Sequence, residues 1–152
     1  MSLSVQKKVL SDSSKSVDMS VLEGKIGYQI RMAERIINRG FLQEVGMTPV
    51  QYSVFALVAS NEGSSQVAIG EMLKMDRAST MAIVDKLQTA GLIERRKSLV
   101  DKRMQALFLT SVGKKEFLLI DKKVEDYDKS VCARLSEKQV EQLFECVKNL
   151  RA

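Results

Sequence analysis

The chain has 152 residues, with 24 Lys and Arg against 19 Asp and Glu, so its formal net charge is +5. A composition of 45% hydrophobic and 28% charged residues is typical of one globular domain and excludes a disordered or collagen-like chain. The chain has no His and only two Cys, Cys132 and Cys146, which removes the commonest zinc ligand and general base. We therefore predict no metal, no cofactor and no enzymatic activity. No apolar run approaches the roughly 20 residues of a membrane-spanning helix, and no secretory signal opens the chain, so a cytoplasmic protein is expected.

Most of the excess positive charge lies in one window of the sequence. Residues 77–103 contain seven basic and three acidic residues, which gives +4 of the total +5. A local positive field attracts polyanions, and nucleic acid is the usual polyanion of the cytoplasm. A charge run alone also fits an ordinary solvated surface, so charge does not decide between the two interpretations.

The first third of the chain predicts a polar arm followed by two helices. Residues 1–18 are rich in Ser and Lys and lack an apolar period, which is typical of a mobile arm. Apolar residues then recur at helical spacing over 19–45, and Gly46 is expected to end this long amphipathic helix. A capping box, Thr48–Gln51, with Pro at the first helical position, begins a second helix that runs to about Ser60.

A helix-turn-helix is predicted next. After a turn at Asn61–Ser64, a short helix covers Ser65–Leu73. Asp76 can cap a further helix, Arg77–Ala90, which Gly91 would end. The second of these helices is basic at its start and rich in small hydroxyl residues, which suits insertion into a major groove about 12 Å wide. On periodicity alone, a purely structural role for this helix fits equally well.

The last third of the chain predicts a β-hairpin and two helices. Extended segments Leu92–Lys97 and Gln105–Leu109 flank a polar, basic tip. Thr110 then caps a helix over Ser111–Leu135, and a second capping box, Ser136–Gln139, begins the final helix. The expected fold class is therefore mainly α with a small β-hairpin.

These elements carry short motifs that together resemble the MarR family of bacterial winged-helix regulators. The resemblance spans about residues 20–150 and rests on the order and spacing of its pieces. The pieces are Thr48-Pro49-Val50-Gln51-Tyr52, Val67-Ala68-Ile69-Gly70-Glu71-Met72-Leu73, Asp76-Arg77-Ala78-Ser79-Thr80, Val84-Asp85-Lys86-Leu87, Ala90-Gly91-Leu92-Ile93, Arg95-Arg96, Asp101-Lys102-Arg103 and Leu109-Thr110-Ser111-Val112-Gly113. It implies a winged helix-turn-helix lobe with terminal dimerisation helices, in which Arg77–Ala90 is the recognition helix and the hairpin is the wing.

The resemblance implies contact with double-stranded DNA through the recognition helix and the wing. The residues expected to make this contact are Arg77, Ser79, Thr80, Lys86, Arg95, Arg96, Lys97, Lys102 and Arg103. Arg103 at the wing tip would enter the minor groove, and Asp101 would brace the wing by pairing with a nearby Arg. An isolated Asp-x-Arg would more simply be a solvated turn, and only the surrounding motifs favour the brace.

Two departures from the family pattern reduce the expected number of DNA contacts. Leu99-Val100 stand where relatives often have an Asp-Pro pair before the wing Asp. Met81-Ala82 stand where many relatives have Arg or Thr inside the recognition helix. We therefore expect the usual groove geometry with fewer polar contacts to phosphates and bases.

The resemblance also implies four segments that form one intertwined homodimer. They are a mobile arm (1–18), a dimerisation helix (19–47), the DNA-binding lobe (48–110) and the terminal dimerisation helices (111–152). The dimerisation helices carry more apolar surface than so small a domain can cover, although packing within one chain is the alternative. A homodimer would place two recognition helices one DNA turn apart, roughly 34 Å, on an inverted repeat.

A small-molecule effector is the remaining expectation from the resemblance. Tyr28 and Arg31 on the first helix, with Tyr52 and Phe55 on the second, could form an aromatic wall and an anchor for a phenolic or carboxylate ligand. The alternative is that the aromatic residues belong to the core and that Arg31 is solvated. Because both Cys residues lie in the last two helices, we do not expect redox sensing.

Together these patterns predict a sequence-specific DNA-binding transcriptional regulator. The expected form is a homodimeric repressor of a palindromic operator, relieved by a small anionic or aromatic ligand. The alternative is a winged-helix adaptor that binds proteins and has no specific DNA site, an interpretation that Leu99-Val100 at the wing tip favours.

Overall fold

The computed structural model describes residues 18–97 and 105–151. The predictions for the arm (residues 1–17) and for the wing tip (residues 98–104, with Asp101, Lys102 and Arg103) lie outside the described residues. The chain divides into two units, one that ends at Glu34 and one that begins at Arg35, and each is described by itself.

The first unit contains a break in the predicted long helix. Helix α1 (Ser20–Glu23) ends at Gly24, and α2 (Ile26–Val45) begins two residues later and continues into the second unit. Glycine is a poor helix former, so this position is a weak point in an otherwise continuous apolar period. The Gln29 side-chain amide donates to the Glu23 carbonyl oxygen at 2.8 Å and links the two helices. The prediction of one helix over 19–45 is therefore wrong at Gly24.

The second unit contains the helix-turn-helix, the hairpin and the terminal helices close to their predicted bounds. In chain order after α2, they are α3 (Pro49–Ser60), α4 (Gln66–Met72), α5 (Arg77–Thr89), β1 (Ile93–Lys97), β2 (Gln105–Leu109), α6 (Ser111–Val131) and α7 (Glu137–Leu150). The fold is mainly α with one two-stranded antiparallel sheet, as predicted.

Side-chain caps explain why these helices begin where they do. Thr48 accepts the Gln51 N–H, and its own N–H donates to the Gln51 side chain, so the predicted capping box is present. Ser136 and Gln139 form the same arrangement before α7. Thr110 accepts the Gly113 N–H at 2.8 Å at the start of α6. Each cap satisfies helix N–H groups that would otherwise lack a partner.

A single core joins the helix-turn-helix to the wing. Its fully buried side chains come from α3, α5 and both strands, and the largest are Phe55, Ile93, Leu107, Val54, Val58 and Val84. In the hairpin, Ile93 pairs with Leu109, and Arg95 pairs with Leu107. The segment before α4 adds a short third edge, since Ser65 bridges to Ala106 and the Leu107 N–H donates to the Ser64 carbonyl. The wing is therefore attached to the helix-turn-helix on both of its sides.

Helix α6 closes this lobe against α2 and α3 and ends earlier than predicted. The Tyr127 hydroxyl donates to the Ile37 carbonyl at 2.6 Å, and its ring packs edge-on against Phe41. The helix ends at Val131 rather than at Leu135, because the following backbone forms tighter three-residue turns such as Leu135 N–H to Cys132 C=O.

Helix α7 differs from all the helices of the lobe because it buries no residue. Its apolar side chains recur at helical spacing and remain largely in solvent, with Phe144 exposed over 70% of its surface. The other large apolar residues of this face are Leu143, Val147 and Leu150. We call this set the α7 apolar face.

Candidate nucleic-acid interface

The predicted recognition helix, α5, begins at a fully formed cap. The Asp76 carboxylate accepts the Ser79 N–H at 2.8 Å and the Ser79 hydroxyl at 2.7 Å. These two hydrogen bonds, the one from the side chain first, hold the pKa of Asp76 below its usual value. The predicted DNA contact of Ser79 is therefore limited, because its hydroxyl proton is already engaged inside the protein.

Thr80 packs between helices and does not face solvent. Its side chain is only 2% exposed, and its hydroxyl donates to the Asp76 carbonyl at 2.8 Å. It lies directly over Gly70 on α4, where a β-carbon would come within 2.6 Å of the Thr80 oxygen. The expectation that Thr80 contacts DNA is wrong, because its position on α5 falls on the same side as the buried Val84 and Leu87.

Arg95 on β1 points into the lobe and joins three elements. Its guanidinium donates to Asp85 at 2.6 Å and Gln88 at 2.6 Å on α5, and to Gln66 at 2.9 Å on α4. The Arg95 side chain is 20% exposed, whereas that of Asp85 is 53% exposed. We call these four residues the Arg95 brace. Three of the five N–H donors of the Arg95 guanidinium are used by protein acceptors, which leaves fewer donors for the predicted direct DNA contact of Arg95.

The Arg95 brace is also relevant to the prediction that Asp101 stabilises the wing. Sequence reasoning assigned that role to Asp101, which lies outside the described residues. Among the described residues, the acid–arginine pair that joins the wing to the helix-turn-helix is formed by Arg95 on β1 and Asp85 on α5. Sequence reasoning missed Gln66, Asp85 and Gln88 because nothing in their local pattern marks them as neighbours of β1.

The other two basic residues of β1 remain on the outside of the hairpin. Arg96 pairs with Glu94, and its guanidinium lies 4.8 Å from the centre of the Phe108 ring. The aromatic face and the carboxylate together hold this side chain along the sheet. Lys97 at the end of β1 is exposed. Both positions remain compatible with contact to a DNA backbone.

Arg77 and Lys86 are the two basic residues of α5 that were predicted to contact DNA, and both lie in solvent. Arg77 is at the first turn, beside a cleft of about 630 Å³ between α4 and α5, whose wall also includes Val67 and Met81. Lys86 is near the other end of the helix. The exposed face of α5 therefore has a cation towards each end.

The four residues predicted to bind an effector fall in different environments. In the first unit, the Arg31 guanidinium lies 5.9 Å from the centre of the Tyr28 ring. In the second unit, the Tyr52 hydroxyl donates to the Asp121 carboxylate at 2.5 Å, and burial, followed by that bond, raises the pKa of Tyr52. Phe55 has no exposed surface and packs edge-on against Phe117 at 5.4 Å. Phe55 belongs to the core, so its predicted place in a ligand wall is wrong.

The described residues form neither a cluster of metal ligands nor a membrane-spanning helix. Within residues 18–97 and 105–151, no group of Cys, Asp and Glu is arranged to hold a metal ion. Over the same part of the chain, no helix is both long and apolar enough to span a membrane. Cys132 is half-buried and Cys146 is exposed, and both are unpaired thiols.

Comparison with known proteins identifies the family. The model of the MarR family matches residues 45–104, which include the end of α2, helices α3 to α5 and strand β1. A protein assigned as transcriptional regulator of the hcr operon in Thauera aromatica is 30% identical over 133 residues, or 85% of this chain and 80% of that protein. The fold and the sequence thus point to the same family.

Two solved structures of one repressor, CouR, show the same architecture. CouR bound to a 23-mer DNA duplex superposes with a TM-score of 0.84 at 26% identity, over 90% of this chain and 99% of CouR. CouR bound to p-coumaroyl-CoA gives a TM-score of 0.82 at 25% identity, over 89% of this chain and 97% of CouR. The chain belongs to the MarR family of DNA-binding transcriptional regulators.

Proposed function

We propose that this regulator is a homodimeric repressor that binds an inverted-repeat operator and is released by a small anionic or aromatic ligand. The observation that carries the dimer is the α7 apolar face. A helix with no buried residue gains little stability from its own chain, and an amphipathic face of this size is ordinarily covered by a partner. A second copy of the chain offers the same face, so a two-fold axis would bury both at once.

The two-fold arrangement determines the form of the DNA site. One recognition helix reads a half-site of a few base pairs, and a symmetric dimer presents two such helices to an inverted repeat. The exposed Arg77 and Lys86 on α5, with Lys97 on β1, supply the cations that phosphates require. The relative CouR, similar over 90% of this chain, is bound to a DNA duplex in its solved structure. This likeness supports the same mode of binding here.

Fluorescence anisotropy against two duplexes tests the proposal directly. One duplex carries the DNA immediately upstream of this protein's own gene, and the other has the same composition in scrambled order. We expect nanomolar binding to the first, at least about a thousandfold tighter than to the second, with affinity that falls steeply as salt is raised. Equal and weak binding to both duplexes would contradict the proposal for that promoter. Expression from the same promoter should rise when the gene is deleted.

A protein-binding adaptor is the second candidate, and the apolar pair Leu99-Val100 in the wing favours it. The two functions differ in what Arg103 does. In the regulator, Arg103→Ala removes a groove contact and should cost about 1 to 3 kcal/mol of specific DNA binding. In the adaptor, the same substitution should leave the weak, nonspecific DNA affinity nearly unchanged. Lys25→Ala, which neutralises a cation outside the DNA-binding lobe, is the matched control.

The effector proposal rests on Tyr28 and Arg31. An exposed guanidinium beside an aromatic ring offers a charged anchor next to a stacking surface for an aromatic acid or its thioester. CouR, in its second solved structure, is bound to p-coumaroyl-CoA. Using p-coumaroyl-CoA and p-coumarate as probes, we expect at least one to release DNA from the parent protein. Arg31→Ala should lose this response and keep its DNA affinity, whereas release that persists in Arg31→Ala would refute this anchor.

A further inference from the structure

The recognition helix presents an apolar side chain where a polar one would be expected. Met81 lies on α5 with 52% of its surface exposed. Ala78 and Ala82, one turn before and one residue after, are exposed beside it. The side of the helix that carries Thr80, Val84 and Leu87 is buried in the lobe. About half of the Met81 side chain is therefore open to solvent, at the edge of the cleft between α4 and α5 and on the surface that would enter the DNA groove.

Most of the polar side chains of α5 already have partners inside the protein. Ser79 donates to the Asp76 carboxylate. Asp85 and Gln88 both accept from the Arg95 guanidinium at 2.6 Å. Each of these groups could otherwise read a base edge, since amides bind adenine, carboxylates accept from the amino group of cytosine, and hydroxyls bind several bases. The centre of the exposed face is consequently left to methyl and thioether groups.

In a major groove the only apolar feature of a base pair is the 5-methyl group of thymine. We propose that Met81, flanked by Ala78 and Ala82, recognises a thymine in each half-site by packing against that methyl group. Methionine suits this contact because its thioether is flexible and polarisable. This inference rests on the proposed function, in which α5 enters the major groove of a specific operator. It makes Met81 a specificity residue, while Arg77 and Lys86 supply affinity that does not depend on sequence.

Deoxyuridine isolates the methyl group, because it differs from thymidine in nothing else. A random duplex library would be enriched on the parent protein, and the selected duplex would be resynthesised with one thymine at a time replaced by deoxyuridine in both half-sites. We expect one position at which the loss of each methyl group weakens binding about fourfold, and the symmetric pair about fifteenfold. Other thymines should show little change.

Variants of Met81 then connect that position to the side chain. In Met81→Ala, thymine and deoxyuridine duplexes should bind equally at the sensitive position, while Met81→Leu should retain most of the difference. Met72→Ala is the matched control, since Met72 is also an exposed methionine but lies on α4. Both sites are on the surface, so the variants should fold like the parent.

The outcomes separate this inference from the function on which it rests. An enriched duplex that shows no methyl-sensitive position would refute the role of Met81 and leave the specific regulator intact. A sensitive position that persists unchanged in Met81→Ala would also refute it, and would assign the methyl contact to another residue. A library from which no sequence is enriched would refute both the specific regulator and the inference.

Discussion

The winged helix-turn-helix lobe and helix α7 differ sharply in how much of their apolar surface is buried. In the lobe, residues from α3, α5, β1 and β2 close a continuous core in which several side chains have no exposed surface. Helix α7 has equally clear caps and an amphipathic sequence, yet none of its residues is buried. Similar local signals thus form one region whose apolar side chains are buried within a single chain and another whose apolar side chains are not.

The difference shows that capping determines where a helix starts and says nothing about what covers it. Ser136 begins α7 with the same capping box with which Thr48 begins α3. Cap and period are encoded within a few residues, whereas burial depends on which surfaces meet. The lobe should therefore respond to changes in its packing through its free energy of unfolding. The α7 apolar face should respond through self-association.

The largest effect is expected from a charge placed on the α7 apolar face. Phe144→Glu should weaken dimerisation by more than about 4 kcal/mol, because each copy loses an aromatic contact worth about 2 to 4 kcal/mol and gains a buried charge. Sedimentation velocity should show a monomer at micromolar concentration, with operator affinity reduced at least a hundredfold. Gln142→Glu adds the same charge on the polar side of α7 and should remain dimeric. If Phe144→Glu sediments like the parent, this face does not form the dimer.

The next largest effect is expected where the start of α6 packs against the lobe. A β-carbon on Gly113 would lie 1.8 Å from the carbonyl oxygen of Leu92, and a backbone atom cannot rotate away. Gly113→Ala should therefore lower the free energy of unfolding by about 3 kcal/mol, measured by urea denaturation. Gly27→Ala is the control, because nothing lies within 4 Å of a β-carbon there, and it should be neutral or stabilising. Unchanged stability in Gly113→Ala would mean that α6 does not dock on Leu92.

A smaller change in operator affinity is expected from substitutions in the Arg95 brace. Whether the affinity falls or rises distinguishes two roles of Arg95. If Arg95 positions the wing, both Arg95→Ala and Asp85→Asn should lower operator affinity, each by about tenfold, with a stability loss near 1 kcal/mol. If Arg95 instead contacts a phosphate, removal of the Asp85 charge should raise the affinity. Anisotropy titrations of the two variants decide between these roles. Arg95→Lys should not restore the affinity, because Arg95 reaches its acceptors from two terminal nitrogens of a planar group, whereas lysine has a single nitrogen.

Sequence-based prediction is likewise accurate for local features and fails where the structure depends on distant residues. The caps at Thr48, Thr110 and Ser136 are local, and the helices begin at them as predicted. The hairpin strands also match to within one residue, since the change from a helical to an extended period and the polar segment between the strands are visible over a few residues of the sequence. The end of α6 was predicted too late and the break at Gly24 was not predicted, because the apolar period of the sequence continues through both positions.

The errors in the predicted site residues have a different cause. Thr80 and Phe55 have residue types that suit DNA or ligand contact, and only the packing of α5 on α4 and of α3 on α6 shows that they are buried. Arg95 lies in a basic run that suggests a phosphate contact. Its three acceptors come from positions 7, 10 and 29 residues away, and no local pattern connects them to β1. Tertiary contacts, therefore, decide which of the predicted side chains remain available to a ligand.

The smallest effect concerns pH and the attachment of β2 to the lobe. The Glu62 carboxylate accepts the Leu109 N–H at 3.0 Å and pairs with Lys114 at 3.2 Å. The backbone hydrogen bond, and then the lysine, hold the pKa of Glu62 below its usual value. A carboxyl group with a lowered pKa in the folded state stabilises the fold above its unfolded pKa, near 4.3, and this contribution disappears as the pH falls through the lower, folded value.

The comparison to make is therefore between Glu62→Gln and the parent at several pH values. The amide still offers an oxygen to the Leu109 N–H but has no charge for Lys114, so the variant should have a slightly lower urea midpoint at pH 7. Since protonation removes the charge of the parent as well, the two midpoints should converge below about pH 4. Glu71→Gln on α4 serves as the control for a surface glutamate. A difference that stays constant from pH 7 to pH 3 would show that packing, and not the charge of Glu62, holds the end of β2 to the lobe.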